Sequence, residues 1–175
     1  MYYVTGNHEW RVPGLRGILA QMRACGVTVL QDDWRVLRRG EDALIVAGTD
    51  DPCGPAERKT PAELIANIRA EAGEAAFLLL LTHRNDQLPQ WSALGVQAVL
   101  AGHCHGGVVR LPFVGGLFGT DRRLFPAWDA GLYRQGETVL YVSRGLGYTN
   151  VHFRLFNRPE VAVIVLRRGD PAINS

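Results

Sequence analysis

Four of the five histidines in this chain stand where an apolar segment gives way to a polar turn. His8 lies in Gly6-Asn7-His8-Glu9 and His83 in Thr82-His83-Arg84. His103 and His105 lie in Gly102-His103-Cys104-His105-Gly106-Gly107. Neutral imidazole is the commonest protein metal ligand, and near neutral pH it also moves protons. Asn7 adds a carboxamide oxygen, a neutral donor that suits a metal position. A single histidine in such a turn is more often ordinary; the shared placement of four is what points to a metal or catalytic site. In open α/β sheets, ligands collect outside the carboxyl ends of the strands. On an extended segment, residues two apart face the same way. His103 and His105 are therefore expected to look into one cavity while Cys104 turns back into the core. Gly102, Gly106 and Gly107 allow a tight turn and close approach of a substrate.

Several elements must position these groups. Tyr2–Thr5 reads as the end of a strand. Leu15, Ile18, Leu19 and Met22 recur at helical spacing, and Gly26 stops that helix. Val27–Leu30, Trp34–Arg38 and Ala43–Ala47 read as strands, followed by a loop from Gly48 to Pro55. Thr60-Pro61-Ala62-Glu63 has the form of a capping box with proline at the first helical position. Ala76–Leu81 is continuous in apolar residues, as a buried parallel strand requires. After a short helix, Val96–Ala101 leads to the His103–His105 turn. Strands and helices alternate this far, which indicates an α/β layer. Beyond Val108 the sequence is rich in glycine and aromatic residues up to Tyr133. Three strand-like segments follow with no helix between them: Thr138–Ser143, His152–Phe156 and Val161–Arg167. With no linker or repeat, residues 1–175 read as one domain.

Composition narrows the function classes. A 47% apolar content is enough for a real core, and the net charge of +2 comes with no basic block. There is thus no nucleic-acid signature. Lys59 is the only lysine among 19 basic residues, so arginine carries almost all positive charge. Cys25, Cys53 and Cys104 are odd in number and show no CxxC spacing. They point to free thiols in a reducing compartment, the cytoplasm or the cytoplasmic face of a membrane. The longest purely apolar stretch, Ala75 to Leu81, is far short of the roughly 20 residues of a spanning helix. An upstream leader or anchor is compatible with this start.

The motifs resemble the calcineurin-like metallophosphoesterases. Gly6-Asn7-His8-Glu9, Leu81-Thr82-His83 and Gly102-His103-Cys104-His105-Gly106-Gly107 look like the last three motifs of that family, in order. Cys104 stands where the family usually has a small hydroxyl residue. Gly106–Pro112, Gly131-Leu132-Tyr133, Tyr141–Gly147 and Asn157-Arg158-Pro159-Glu160-Val161 look like its bacterial phosphodiesterase branch. The resemblance implies a two-sheet β-sandwich flanked by helices, an α/β fold. It also implies two divalent metal ions (Mn, Fe, Zn or Ni) and phosphodiester hydrolysis. Asn7, His83 and His103 would bind one ion and His105 the other. His8 would sit by the phosphate and give a proton to the leaving oxygen. Glu9 has no role in that scheme and reads as a supporting or surface carboxylate.

The family also carries an Asp-x-His and a Gly-Asp-x-x-Asp before the Gly-Asn-His-Glu motif. Here five residues precede Gly6, and neither pattern occurs later. The fold is therefore expected to be N-terminally incomplete by two strand–helix units, roughly 60 or more residues, and the chain's own activity to be reduced. Two other readings stay open: a non-catalytic remnant holding one ion through Asn7, His83 and His103, and a mononuclear zinc hydrolase using His83, His103 and His105. The long apolar stretch Leu111–Trp128, interrupted by Arg122 and Arg123, suits a phosphate ester, in particular a lipid-linked one.

Overall fold

The computed structural model describes residues 1–55, 58–119, 123–148 and 153–167. Its centre is a six-stranded sheet in the order β3-β4-β5-β6-β10-β9. The strands are β3 (Asp33–Arg39), β4 (Asp42–Gly48), β5 (Leu78–Leu81), β6 (Ala98–Ala101), β9 (Gly131–Gln135) and β10 (Thr138–Val142). The inner four, β4, β5, β6 and β10, are mutually parallel, and β3 and β9 close the sheet antiparallel at its two edges. Two small pairs lie outside it. β1 (Tyr2–Tyr3) runs parallel to β2 (Thr28–Val29), and β7 (Arg110–Leu111) pairs antiparallel with β8 (Gly115–Gly116). The α/β class expected from the alternating pattern is the class that forms.

Among the described residues, three helices connect the strands: α1 (Leu15–Ala24), α2 (Pro61–Ala72) and α3 (Leu88–Ala93). The capping box of α2 is closed at both ends. The Thr60 hydroxyl accepts from the Glu63 amide at 3.2 Å, and the Glu63 carboxylate accepts from the Thr60 amide at 2.8 Å. Alternate strand residues face these helices. Ile45, Ala47, Leu78, Leu80, Val99, Ala101, Leu140 and Val142 meet Leu64, Ile65 and Ile68 of α2 and Leu88 and Trp91 of α3 in one core cluster. Leu79, Leu81, Leu100 and Tyr141, on the alternate positions, are only half-buried. A smaller cluster of Leu15, Leu19 and Val29 seats α1 against β2, with Tyr3 and Trp10 packed on it.

The tail departs from expectation. His152 lies outside the described residues. Of the segment read as a strand ending at Phe156, only Leu155 pairs, in an isolated bridge with Val109. Residues 161–167 form no strand, and Val161, Val163 and Val165 are exposed. β-branched residues favour a pleated surface but do not create one, since a strand needs a partner edge. Residues 161–167 pair with neither β3 nor β9, the edge strands of the large sheet. No helix among the described residues is long and apolar enough to cross a membrane.

Candidate metal centre

Because β4, β5, β6 and β10 are parallel, their carboxyl ends lie along one edge of the sheet. β5 releases Thr82-His83-Arg84 there, β6 releases Gly102–His105, and β4 releases Thr49-Asp50-Asp51. The turn after β1 reaches the same place, since Asn7 touches His83. Nε2 of His83 lies 2.9 Å from Oδ1 of Asn7 and 2.8 Å from Nδ1 of His103. The two imidazoles stand edge to face, with ring centroids 4.6 Å apart.

This contact set is short of protons. An imidazole nitrogen presents either a proton or a lone pair, and a carboxamide oxygen only accepts. Nε2 of His83 faces two partners, one of them that oxygen. A divalent cation would satisfy the carboxamide oxygen together with one lone pair from each ring, once His103 carries its lone pair on Nδ1. Two imidazole nitrogens and an amide oxygen suit Mn, Fe, Zn or Ni, so the residues fit a divalent ion. Their electrostatics agree. Burial holds the His83 pKa below the usual imidazole value. Burial, His83 and Arg84 bring His103 down to about 4. Both rings are neutral at pH 7 and keep a lone pair to give. Among the described residues, no three His, Cys, Asp or Glu side chains form a metal-binding group; asparagine completes this one.

The other expected residues fall at varying distances from the pair. His105 is half-buried, with Nδ1 3.3 Å from the Gly147 carbonyl and 3.4 Å from Nη2 of Arg154. Its pKa is lowered by burial, with Arg154 and His8 adding to the shift. The ring therefore neighbours the pair without bonding to it. His8 is exposed, at the start of a 3-10 turn formed by Glu9–Arg11. Arg122 lies outside the described residues. Arg123 is exposed on the turn where its carbonyl accepts from the Gly119 amide at 2.8 Å. Arg144 is committed elsewhere, paired with Glu160 at 2.7 Å.

The turn that carries His103 and His105 is not extended. His103, His105, Gly106, Gly107 and Val108 all have positive φ, between 51° and 79°. Alternation therefore cannot be what brings the two rings to the same side. Left-handed backbone is costly for side-chain-bearing residues, and neighbouring groups hold it in place. Nδ2 of Asn157 donates to the His105 carbonyl at 2.6 Å and to the Val108 carbonyl at 3.3 Å. Cys104 does face inward. Its thiol donates to the Asp129 carbonyl at 2.8 Å, and burial pushes its pKa up to about 11.

Over 94% of its length the chain is 29% identical to the uncharacterized metallophosphoesterase YkuE of Bacillus subtilis, of which it covers 55%. It is 31% identical to an uncharacterized metallophosphoesterase of Aquifex aeolicus, over 95% of its own length and 60% of that protein. It is 30% identical to the phosphodiesterase YaeI of Escherichia coli, over 92% and 56%. The chain is a metallophosphoesterase homologue. It spans about half the length of the curated relatives it matches. No family model matches it, and no solved structure matches it significantly.

The homology motifs omit two groups that touch this centre. Asp51, 1% exposed, accepts from Nε of Arg84 at 2.7 Å and from Nη2 at 3.0 Å. Nη1 of Arg84 then reaches Nε2 of His103 at 3.2 Å. Chain order argues against a metallophosphoesterase role for Asp51, because it follows the Gly-Asn-His-Glu motif. What was legible was its position, two polar residues after an apolar strand. Glu9 also has structural work: it accepts from the Gly6 amide at 2.9 Å. A Cβ on Gly6 would lie 2.7 Å from Cε1 and Nδ1 of His83 and 2.9 Å from Glu9 Oε2. Gly6→Ala should therefore push the His83 ring away from Asn7. The expected result is clearly weaker metal binding with a thermal stability loss of only about 1–3 kcal/mol, the usual cost of overpacking. Metal titration beside a melting curve checks this, and unchanged metal affinity would show that His83 has room to move.

Proposed function

We propose that the chain belongs to a metal-dependent phosphoesterase that cleaves phosphodiesters, with Asn7, His83 and His103 holding one divalent ion. The observation that carries this is the meeting of Asn7 Oδ1, His83 Nε2 and His103 Nδ1 at the carboxyl edge of the sheet. His105, beside the pair, serves a second ion. The bound ions would supply Lewis-acid activation of water and charge for the phosphoryl oxygens. The chain's own residues do the rest. His8, exposed and near enough to His105 to lower its pKa, donates a proton to the departing oxygen. Gly106 and Gly107 are buried, and their lack of a side chain lets the turn pack tightly against Arg144, Asn157 and Gly116.

The substrate class suggested by the surroundings is a phosphate ester with an apolar portion. The β7–β8 hairpin carries Leu111, Pro112, Phe113 and Val114 around a cleft of about 600 Å³ that Phe156 and Tyr133 also line. Phe113, Val114 and Phe156 are all strongly exposed. Arg123, exposed on its turn, would meet the phosphate.

The test is a metal titration of the chelator-stripped chain with Mn²⁺, Zn²⁺ and Ni²⁺, together with hydrolysis of bis(p-nitrophenyl) phosphate. The expected result is a single weakly held ion per chain and slow, strictly metal-dependent hydrolysis. Failure to bind any of the three ions would overturn the proposal. Two tightly held ions with brisk turnover would show that the second position is complete within this sequence.

A further inference from the structure

The contact between Arg84 and His103 has the wrong polarity for a histidine that ligates through Nδ1. Metal-bound imidazoles normally donate their other N–H to a carbonyl or carboxylate. Here the partner of Nε2 is a guanidinium, which can only donate. At 3.2 Å from Arg84 Nη1, His103 Nε2 must present its lone pair. The proton of the neutral ring then sits on Nδ1, the atom 2.8 Å from His83 Nε2. His83 Nε2 accepts that proton, so the His83 proton is on its own Nδ1. In this arrangement Asn7 Oδ1 faces the same His83 lone pair at 2.9 Å. Asp51 fixes the guanidinium by a two-point ion pair at 2.7 and 3.0 Å, and its own side chain is fully buried.

We propose that Arg84 is a built-in competitor of the metal, a positioning residue that holds His103 in the tautomer unable to ligate through Nδ1. This rests on the reading of Asn7, His83 and His103 as a metal site. To offer its Nδ1 lone pair, His103 must move its proton to Nε2, where it meets an N–H of Arg84 head on. Metal entry therefore requires the guanidinium to leave Nε2, and its positive charge opposes the cation until it does. Asp51 sets how readily that happens, since the guanidinium departs only by breaking or dragging the ion pair. The ion affinity of the site is thus set by a residue that is not a ligand.

The inference is tested with Arg84→Gln and with Arg84→Gln/Asp51→Asn. A glutamine at 84 can turn a carbonyl oxygen toward Nε2–H. The double variant avoids leaving the Asp51 carboxylate buried and unpaired, a change that alone endangers folding. Mn²⁺ and Zn²⁺ affinities are measured by calorimetry on both variants and on the wild type. Imidazole tautomers are read by long-range ¹H–¹⁵N spectra of the metal-free proteins. The wild type should show His103 protonated at Nδ1, and the variants at Nε2. Replacing a group behind a metal ligand typically changes affinity about 10–100-fold, and here the change should be toward tighter binding. Equal or weaker affinity in the folded double variant overturns the inference, as does an Nε2–H tautomer in the wild type. Absence of binding by all three proteins would instead overturn the metal reading beneath it, and the tautomers would still report whether Arg84 holds His103.

Discussion

His83→Ala and His103→Ala should abolish metal retention and hydrolysis together, whereas His8→Ala should leave metal retention intact. The difference follows from where the side chains are. His83 bonds to both His103 and Asn7, so removing either histidine takes away a metal donor and the partner that orients the other. Burial lowers the pKa of both and keeps them neutral at pH 7. His8 bonds to neither of them and is exposed. If it protonates the departing oxygen, its loss is felt in proportion to how much that oxygen needs a proton. General acid catalysis contributes roughly 10²–10⁴-fold where it is needed. An alkyl phosphodiester, with a poor leaving group, should show a defect of that order in His8→Ala. A nitrophenyl ester should show much less. The measurement is the ratio of variant to wild-type rates on both esters, with metal analysis of each preparation, in a form of the protein that turns over measurably. Equal defects on both esters would reduce His8 to an electrostatic role. Metal loss in His8→Ala would make it a ligand.

The sequence made His8, His83, His103 and His105 conspicuous because each follows an apolar run and so marks the carboxyl end of a strand. That reading depends only on local pattern, and β5 and β6 end where the pattern says. The same local reading gave α2, whose start is written in Thr60, Pro61 and Glu63. What it could not give was distance. The pairing of Arg84 with Asp51 joins residues 33 positions apart, and no spacing rule relates them. The segment His103–His105 is not extended, because His103 and His105 adopt positive φ, which their residue types do not announce. Only the tertiary contacts of Asn157 and the close backbone of Gly116 against Gly107 explain it. The segment at 161–167 was misread for the opposite reason. Its residue types announce a strand strongly, but whether a partner edge exists is not a local property.

The residue that best shows this gap is Asp129, which no motif marks and which should nevertheless be among the costliest to replace. It follows an apolar, aromatic stretch and is buried. Its Oδ2 accepts from Nη1 of Arg110 at 2.7 Å and from the Gly116 amide, and its Oδ1 accepts from the Tyr133 hydroxyl at 2.6 Å and the Ala130 amide at 2.7 Å. One carboxylate thereby ties β7, β8 and β9 together beneath the turn that carries His105. Asp129→Ala leaves a partly buried guanidinium and two amides without their acceptor. Breaking a buried ion pair from one side typically costs about 3–5 kcal/mol, a large share of the roughly 5–15 kcal/mol by which domains are stable. For a chain of this size that corresponds to a fall in Tm on the order of 10 °C.

The pH dependence should identify the charge as the cause. Burial pushes the Asp129 carboxyl upward, but the Tyr133 hydroxyl, the Gly116 amide and Arg110 outweigh it and leave the pKa below the ordinary carboxylate value. A carboxylate depressed in the folded state contributes stability above its unfolded pKa, about 4, and loses it as pH falls toward the folded value. The isosteric Asp129→Asn variant lacks this dependence. The gap in stability between wild type and Asp129→Asn should therefore be widest at pH 6–7 and narrow steadily below about pH 4. Denaturant melts of both proteins across that range measure it. A gap that stays constant with pH would mean that the neutral hydrogen-bond geometry at residue 129 matters, and that its charge does not.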